Sequence, residues 1–376
     1  MKFTINSAEL LSAISMLNRA QSNKNALPIL DCIRMTLSAD GLRLTAADSE
    51  QTLDTTITVL EPSDIDQSLC LPAQQFLSAL KELPNQPITF MGDDRTGACK
   101  LEYANGCFNF VAQPADTFPM PVQEAYSNTL ILPARVLAQG LANTKNSISA
   151  DELRPQMCGV ALDVKEDGSV VFVASDGHSL SRYTVRNVHQ LTTPFLFILP
   201  AKTTALLSAL LNKQTDDVQL QVNDTNLRIE VGGFTLYARL VEGRYPNYNS
   251  VIPTDNPFSA NVERDLLISA VRRVLVFASA STALVKFAFQ DNALIVSAQD
   301  LDFNTSAEES VPCDYAQQPV AIGFSGTMLI DLLRTLPSTT LTVKLSDPSR
   351  AGVIVPTEQP DDEEMLLLLM PMMLKS

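Results

Sequence analysis

LPAKTTALLSALLN, residues 199–212, is the stretch whose reading decides the fold. Its proline suits a first helical turn, and Leu206, Leu207, Leu210 and Leu211 fall at i, i+1, i+4 and i+5, which makes one apolar stripe. The segment predicts a helix buried along one side. The same opening and rhythm return as LPAQQFLSALKELP from Leu71 and, more loosely, as FSGTMLIDLLRTLP from Phe324. The three starts, Pro72, Pro200 and Ser325, stand 128 and 125 residues apart. A fixed long period is the mark of a repeated structural unit.

Two further landmarks keep that period. A second helix series reads SAELLSAISMLNRA from Ser7, PARVLAQGLANTKN from Pro133 and ERDLLISAVRRVLVFA from Glu263, 126 and 130 residues apart. Asn6 or Ser7 can cap the first of these. Between the two helices of each unit runs a strand ending on an acid: LRLTAADSE at Asp48, VVFVASDGH at Asp176 and ALIVSAQDLD at Asp300. The chain therefore predicts three domains, residues 1–127, 128–254 and 255–376. Strand-rich units with two helices at fixed places read as α+β, helices on one face of antiparallel sheet. In the first unit a hairpin is expected from residues 27–37 and 42–46, turned at Asp40-Gly41. Pro-, Asn- and Asp-rich segments, 113–128 and 242–258, close the first two units and match at Phe118-Pro119 and Tyr245-Pro246.

The net charge of −15 argues against nucleic acid on its face. Its distribution argues otherwise. Six helical windows, 7–24, 72–83, 133–145, 200–213, 263–278 and 325–336, hold eleven Lys and Arg against five Asp and Glu. The rest of the chain holds sixteen against thirty-seven. Propensity favours Glu in helices as much as Lys or Arg, so it does not explain the bias. The six cysteines show no CxxC pair and no metal-ligand spacing, so neither zinc nor another cofactor is expected. The amino terminus lacks an unbroken apolar run, so no secretion signal is expected. MLLLLMPMML, residues 365–374, is too short to span a bilayer and reads as a buried strand followed by an apolar tail, with no membrane partner. The acidic run at 361–364 reads as a solvated turn.

Catalysis has one place to start, where Ser175, Asp176, His178 and Ser179 crowd together. A triad is recognised by spatial roles, however, and the same slot holds Asp48-Ser49-Glu50 and Asp300-Leu301-Asp302 in the other units. The shared Asp is expected to accept turn amides, and no catalytic residue is assigned. What remains is a binding surface, in which Met, Pro and aromatic residues suit apolar peptide anchors.

These residues carry a resemblance. LPIL at 27–30, SADELRP at 149–155, ASDGHSL at 174–180, LVEGRYPNY at 240–248 and MPMML at 370–374 resemble, in order and over the whole chain, the β sliding clamps of bacterial DNA polymerase III, the processivity factors. The resemblance implies a DNA clamp fold: two subunits head to tail in a closed ring, helices inside and sheets outside. It implies these partners: double-stranded DNA bound without sequence preference, a second copy as homodimer, the replicative polymerase's catalytic subunit, an ATP-dependent clamp loader and other proteins with a clamp-binding motif. The location it implies is the cytoplasm, at the nucleoid. Lysines and arginines of the inner helices would neutralise phosphates without reading bases. Those expected are Arg19, Lys24, Lys145, Lys202, Lys213, Arg272 and Arg273. The client-peptide pocket is implied at Met157, Ser175, Gly177, His178, Ser179, Leu180, Pro246, Ser250, Val251, Leu368, Met370, Pro371, Met372 and Met373. Ser179, Ser250 and Met373 stand where relatives have Arg, which puts polar anchoring of a client in question. The subunit interface is implied at Phe108 and Phe110 of one copy against Val276 and Phe277 of the other.

Overall fold

The computed structural model describes residues 1–22, 24–121, 124–212 and 214–374. The repeat is carried by six helices: α1 (Ser7–Leu17), α2 (Ala73–Lys81), α3 (Ala134–Thr144), α4 (Ala201–Leu210), α5 (Arg264–Leu275) and α6 (Gly326–Leu333). The stripe read from residues 199–212 holds, since Leu206, Leu207, Leu210 and Leu211 are all buried. Asn6 is the cap of α1, its side chain accepting the Ala8 N–H at 2.9 Å, whereas Ser7 Oγ donates to the Pro84 carbonyl. α1 packs on α2, and α5 on α6.

The strands gather into two compact units. The first comprises Met1–Arg135 with Ala205–Leu240, the second Val136–Thr204 with Val241–Ser376. The first unit holds a five-stranded sheet and a nine-stranded sheet, the second a twelve-stranded one, all antiparallel. Three repeats thus lie in two units because strand ladders cross repeat boundaries. In the first unit Gln51–Ile57 pairs with Phe234–Arg239, Thr55 opposite Phe234 and Gln51 opposite Ala238. In the second, Ser179–Val185 pairs with Glu363–Leu369 over seven residues, Ser179 opposite Leu369 and Val185 opposite Glu363.

Two local readings change. LPIL does not begin a strand: Pro28–Asp31 is a 3-10 turn and the strand starts at Cys32, because Pro28 lacks the N–H a ladder needs. The acidic run is only half a solvated turn. Glu364 pairs with Arg182 and, at 2.7 Å, with Arg186, while Glu363 accepts the Tyr183 hydroxyl at 2.7 Å. Met365–Leu369 is buried strand, as its composition suggested. Among the described residues no helix is long and apolar enough to cross a membrane.

Candidate functional site

One end of the twelve-stranded sheet brings three distant segments together. Val170–Ser175 ends there, the turn through Asp176 reverses the chain, and Ser179–Val185 leaves beside Glu363–Leu369. Asp176 builds the turn: its Oδ1 accepts the N–H of His178 at 2.8 Å and of Ser179 at 2.6 Å. Gly177 takes φ +88°, a conformation with little cost only for glycine. Asp48 does the same for Glu50 and Gln51, both at 2.8 Å, and Asp300 for Asp302 at 2.9 Å. The shared acid is therefore a turn former in all three repeats.

Under the turn, Leu180, Leu366 and Leu368 pack with Tyr245, Tyr248 and Ala351, and Ile252 closes the cluster. Pro246 and Val251 are exposed beside these tyrosines, Val251 at 54%. Met370 follows the strand, its N–H donating to the His178 carbonyl at 2.8 Å. Met372 and Pro371 continue from it, half-buried, with the Met372 N–H on the Gly323 carbonyl at 2.8 Å. Met157 is buried in the 3-10 turn Pro155–Met157, which leads into the strand next to Val170–Ser175. The outcome is an apolar surface, the socket, with a buried floor of Leu180, Leu366 and Leu368, exposed Val251, Met370 and Pro246 beside it, and His178 exposed at its edge.

The expected polar positions behave differently. Ser179 is 1% exposed, and its Oγ lies 3.1 Å from Asp176 Oδ1 and 3.3 Å from Ser147 Oγ, which in turn sits 2.7 Å from Ser181 Oγ. That hydroxyl chain is spent inside the fold and does not line the socket. Ser250 Oγ donates to the Asn247 carbonyl at 2.7 Å, and Met373 is exposed. A guanidinium is nevertheless present, from a residue the sequence reading passed over. Arg154 is held by Asp151 Oδ2 at 2.9 Å, and its NH1 would lie 3.1 Å from a Cβ at Gly177. Its signal in sequence was its place in the SADELRP run, three residues before Met157. Tyr248, also missed, donates to Asp163 Oδ2 at 2.7 Å, and burial pushes the Tyr245 and Tyr248 phenols above their ordinary pKa.

Sequence profiles of the N-terminal, central and C-terminal domains of the DNA polymerase III beta subunit match residues 1–121, 131–247 and 249–373. The chain belongs to the DNA polymerase III beta subunit family, the beta sliding clamps. The beta sliding clamp of Synechocystis sp. is 30% identical over 385 residues, covering 95% of this chain and 96% of that one. That of Caulobacter vibrioides is 26% identical over 378 residues, covering 99% and 100%. The clamp fold is shared with the sliding clamp of Pseudomonas aeruginosa bound to griselimycin, at TM-score 0.92 and 24% identity over 100% of both chains. It is shared as well with the Thermotoga maritima DNA polymerase III beta subunit, at 0.91 and 20%, again over 100% of both. This family member is a sliding clamp, a processivity factor in DNA replication.

On this clamp, Arg19 and Lys24 are exposed in the first unit, and Lys145, Arg272 and Arg273 in the second. Lys202 is half-buried and Lys213 lies outside the described residues. Arg273 is already engaged: its Nε donates to Glu309 Oε2 at 2.7 Å, and the guanidinium holds the Glu309 carboxyl below its usual pKa. Of the four expected interface residues, Val276 and Phe277 are exposed and Phe108 is half-buried. Phe110 is 5% exposed, edge-on to Phe76 at 5.5 Å, and belongs to the core of its own unit.

Proposed function

We propose that this clamp closes head to tail with a second copy into a ring around duplex DNA. It slides there and tethers the polymerase's catalytic subunit and other motif-bearing clients through the socket at His178. One regularity of strand pairing carries the closure. The strand after the Asp turn of repeat one (Gln51–Ile57) pairs with the last strand of repeat two (Phe234–Arg239), and that of repeat two (Ser179–Val185) with the last strand of repeat three (Glu363–Leu369). The counterpart in repeat three is Thr305–Asp314. Its second edge is taken only at Cys313 and Asp314 among the described residues. The last strand of repeat one, Gly106–Val111, has a single partner there, Ala98–Tyr103. Each copy thus offers both halves of the missing junction, and two copies close at two identical ladders. The exposed Val276 and Phe277 and the half-buried Phe108 would be covered there.

Residues 1–127, 128–254 and 255–376 serve as the three clamp domains. In the ring their helices face DNA, and Arg19, Lys24, Lys145, Lys202, Lys213 and Arg272 meet phosphates. Arg273 joins them once Glu309 releases it. Because a ring is held by topology, weak contacts suffice and sliding stays fast. The socket takes apolar side chains of an extended client segment, with Arg154 supplying the polar anchor that Ser179 and Ser250 do not. It also takes griselimycin, as the Pseudomonas clamp does. The role is non-catalytic: Asp176 Oδ1 accepts the main-chain amides of His178 and Ser179, the work of a turn former. Opening falls to a separate ATP-dependent loader, the setting is the cytoplasm at the nucleoid, and neither cofactor nor membrane takes part.

Solution mass, with retention on circular against linearised DNA after loading, tests this reading. A dimer that stays on circles and runs off linear ends is the expected result. A monomer, or equal retention on both forms, overturns the ring. The socket is tested separately, by anisotropy of a fluorescein-labelled peptide with one glutamine and two apolar anchors, which Val251→Asp should release.

A further inference from the structure

The first repeat carries its own version of the socket's framework. Asp48 folds its turn by accepting the amides two and three residues on, both at 2.8 Å, as Asp176 does, and Phe118-Pro119 repeats Tyr245-Pro246. The floor repeats too: Ile29, Leu30, Ala47, Cys70, Ala115 and Phe118 form a buried cluster with Met120 packed on it. Beside that floor, wholly within the first unit, is a cavity of 230 Å³. Met120, Leu227 and Tyr237 supply its apolar lining, from the end-of-repeat segment and from the two strands that continue the sheet. Its charge differs from that of the socket. Asp48, Glu50 and Glu124 line it with one guanidinium, Arg239. Asp48 matches the socket's Asp176, so the difference rests on Glu50 and Glu124, where the socket has His178 and the Asp151-held Arg154. Glu50 and Glu124 are both exposed.

We propose that this cavity is a second peptide-binding groove, selecting an extended segment in which basic residues flank an apolar anchor. That its ligand is a peptide rests on the socket reading; the cavity, its lining and its charge do not. Two opposed grooves on repeated frameworks let one clamp sort ligands by sign: the acidic lining attracts Lys or Arg and rejects carboxylates. Duplication of the framework supplies the shape, and divergence at two rim positions, Glu50 and Glu124, supplies the selectivity.

The test is calorimetric titration of the full chain with acetyl-Lys-Pro-Leu-Phe-Lys-amide and with acetyl-Glu-Pro-Leu-Phe-Glu-amide. Wild type should bind the basic peptide and not the acidic one, more weakly as salt is raised. Glu50→Lys with Glu124→Lys should lower that affinity about tenfold or more, while V251D, which alters only the socket, leaves it unchanged. Should the double variant melt early, Glu50→Lys alone is read, since Glu50 is exposed and its turn is made by its main-chain N–H. Absence of binding, equal binding of both peptides, loss in V251D, or indifference to the charge reversals overturns the proposal. Failure of the labelled glutamine peptide on wild type would instead remove the socket reading and leave this titration standing.

Discussion

Gly177 and Gly243 make a matched pair for testing the socket. Both lie in the second unit with positive φ, +88° and +104°, so an alanine at either pays for left-handed backbone, about 1–2 kcal/mol. They differ in what the new methyl meets. At Gly243 there is nothing within 4 Å, whereas at Gly177 the methyl lies 3.1 Å from Arg154 NH1, tighter than ordinary contact. That nitrogen ends a flexible side chain, so the crowding is relieved by moving Arg154 and adds little to the folding cost. Gly177→Ala and Gly243→Ala should therefore lose similar stability, a melting shift of roughly 2–8 °C at about 2–4 °C per kcal/mol. Only Gly177→Ala should weaken the labelled glutamine peptide, by about tenfold, the equivalent of ~1.4 kcal/mol of misplaced anchor. Differential scanning calorimetry and anisotropy on the same preparations read both quantities. Equal peptide affinities in the two variants would refute the placement of Arg154 on the socket rim, and a tenfold loss in Gly243→Ala would mean that backbone strain alone explains the effect.

At the open edge, Val111→Lys alters a residue 76% exposed and should split the dimer in sedimentation while moving the stability of the chain by no more than ~0.5 kcal/mol. Phe110→Ala, on the buried face, should instead cost about 3–5 kcal/mol in denaturant unfolding. A Val111→Lys chain that stays dimeric would place the junction elsewhere. Glu309→Gln should free Arg273 for phosphate and steepen the log-affinity against log-salt slope by about 0.9; an unchanged slope would show that Arg273 does not reach DNA. Burial raises the Cys32 and Cys99 thiols to about 11 and Cys70 to about 12, from 9.0 in a solvated chain. Between those values the folded state keeps protons that the unfolded state loses, so this stability is present below pH 9 and falls as pH rises toward 11–12. Urea unfolding from pH 8 to 10.5 reads it, and a flat profile would contradict the burial of these thiols. At pH 8 a thiol reagent should label the exposed Cys107 first.

Periodicity is a local property, and what depends on it was legible in the chain. The stripe of α4, the cap at Asn6 and the repeated turn acid all follow from residues a few positions apart, and the three copies made each other visible. The family resemblance pointed to the socket residues, because its segments are contiguous runs such as ASDGHSL and MPMML. Which way a given side chain is spent depends on neighbours far away in sequence. Ser179 turns inward because Ser147 and Asp176 receive its hydroxyl, Phe110 is taken by Phe76, and Glu309 holds Arg273 from 36 residues away. Arg154 reaches the rim only because Asp151 fixes it over a glycine 23 positions on. Pairing is more remote still: Thr55 meets Phe234 across the chain, and among the described residues Gly106–Val111 pairs along one edge only and Thr305–Asp314 along its second edge only at Cys313 and Asp314. The sequence by itself determined the repeat, the fold class and the family. Tertiary structure alone decided which charges are free, which aromatics are buried and which sheet edges are open, because each of these is a relation between surfaces that hydrogen bonding and packing bring together only after folding.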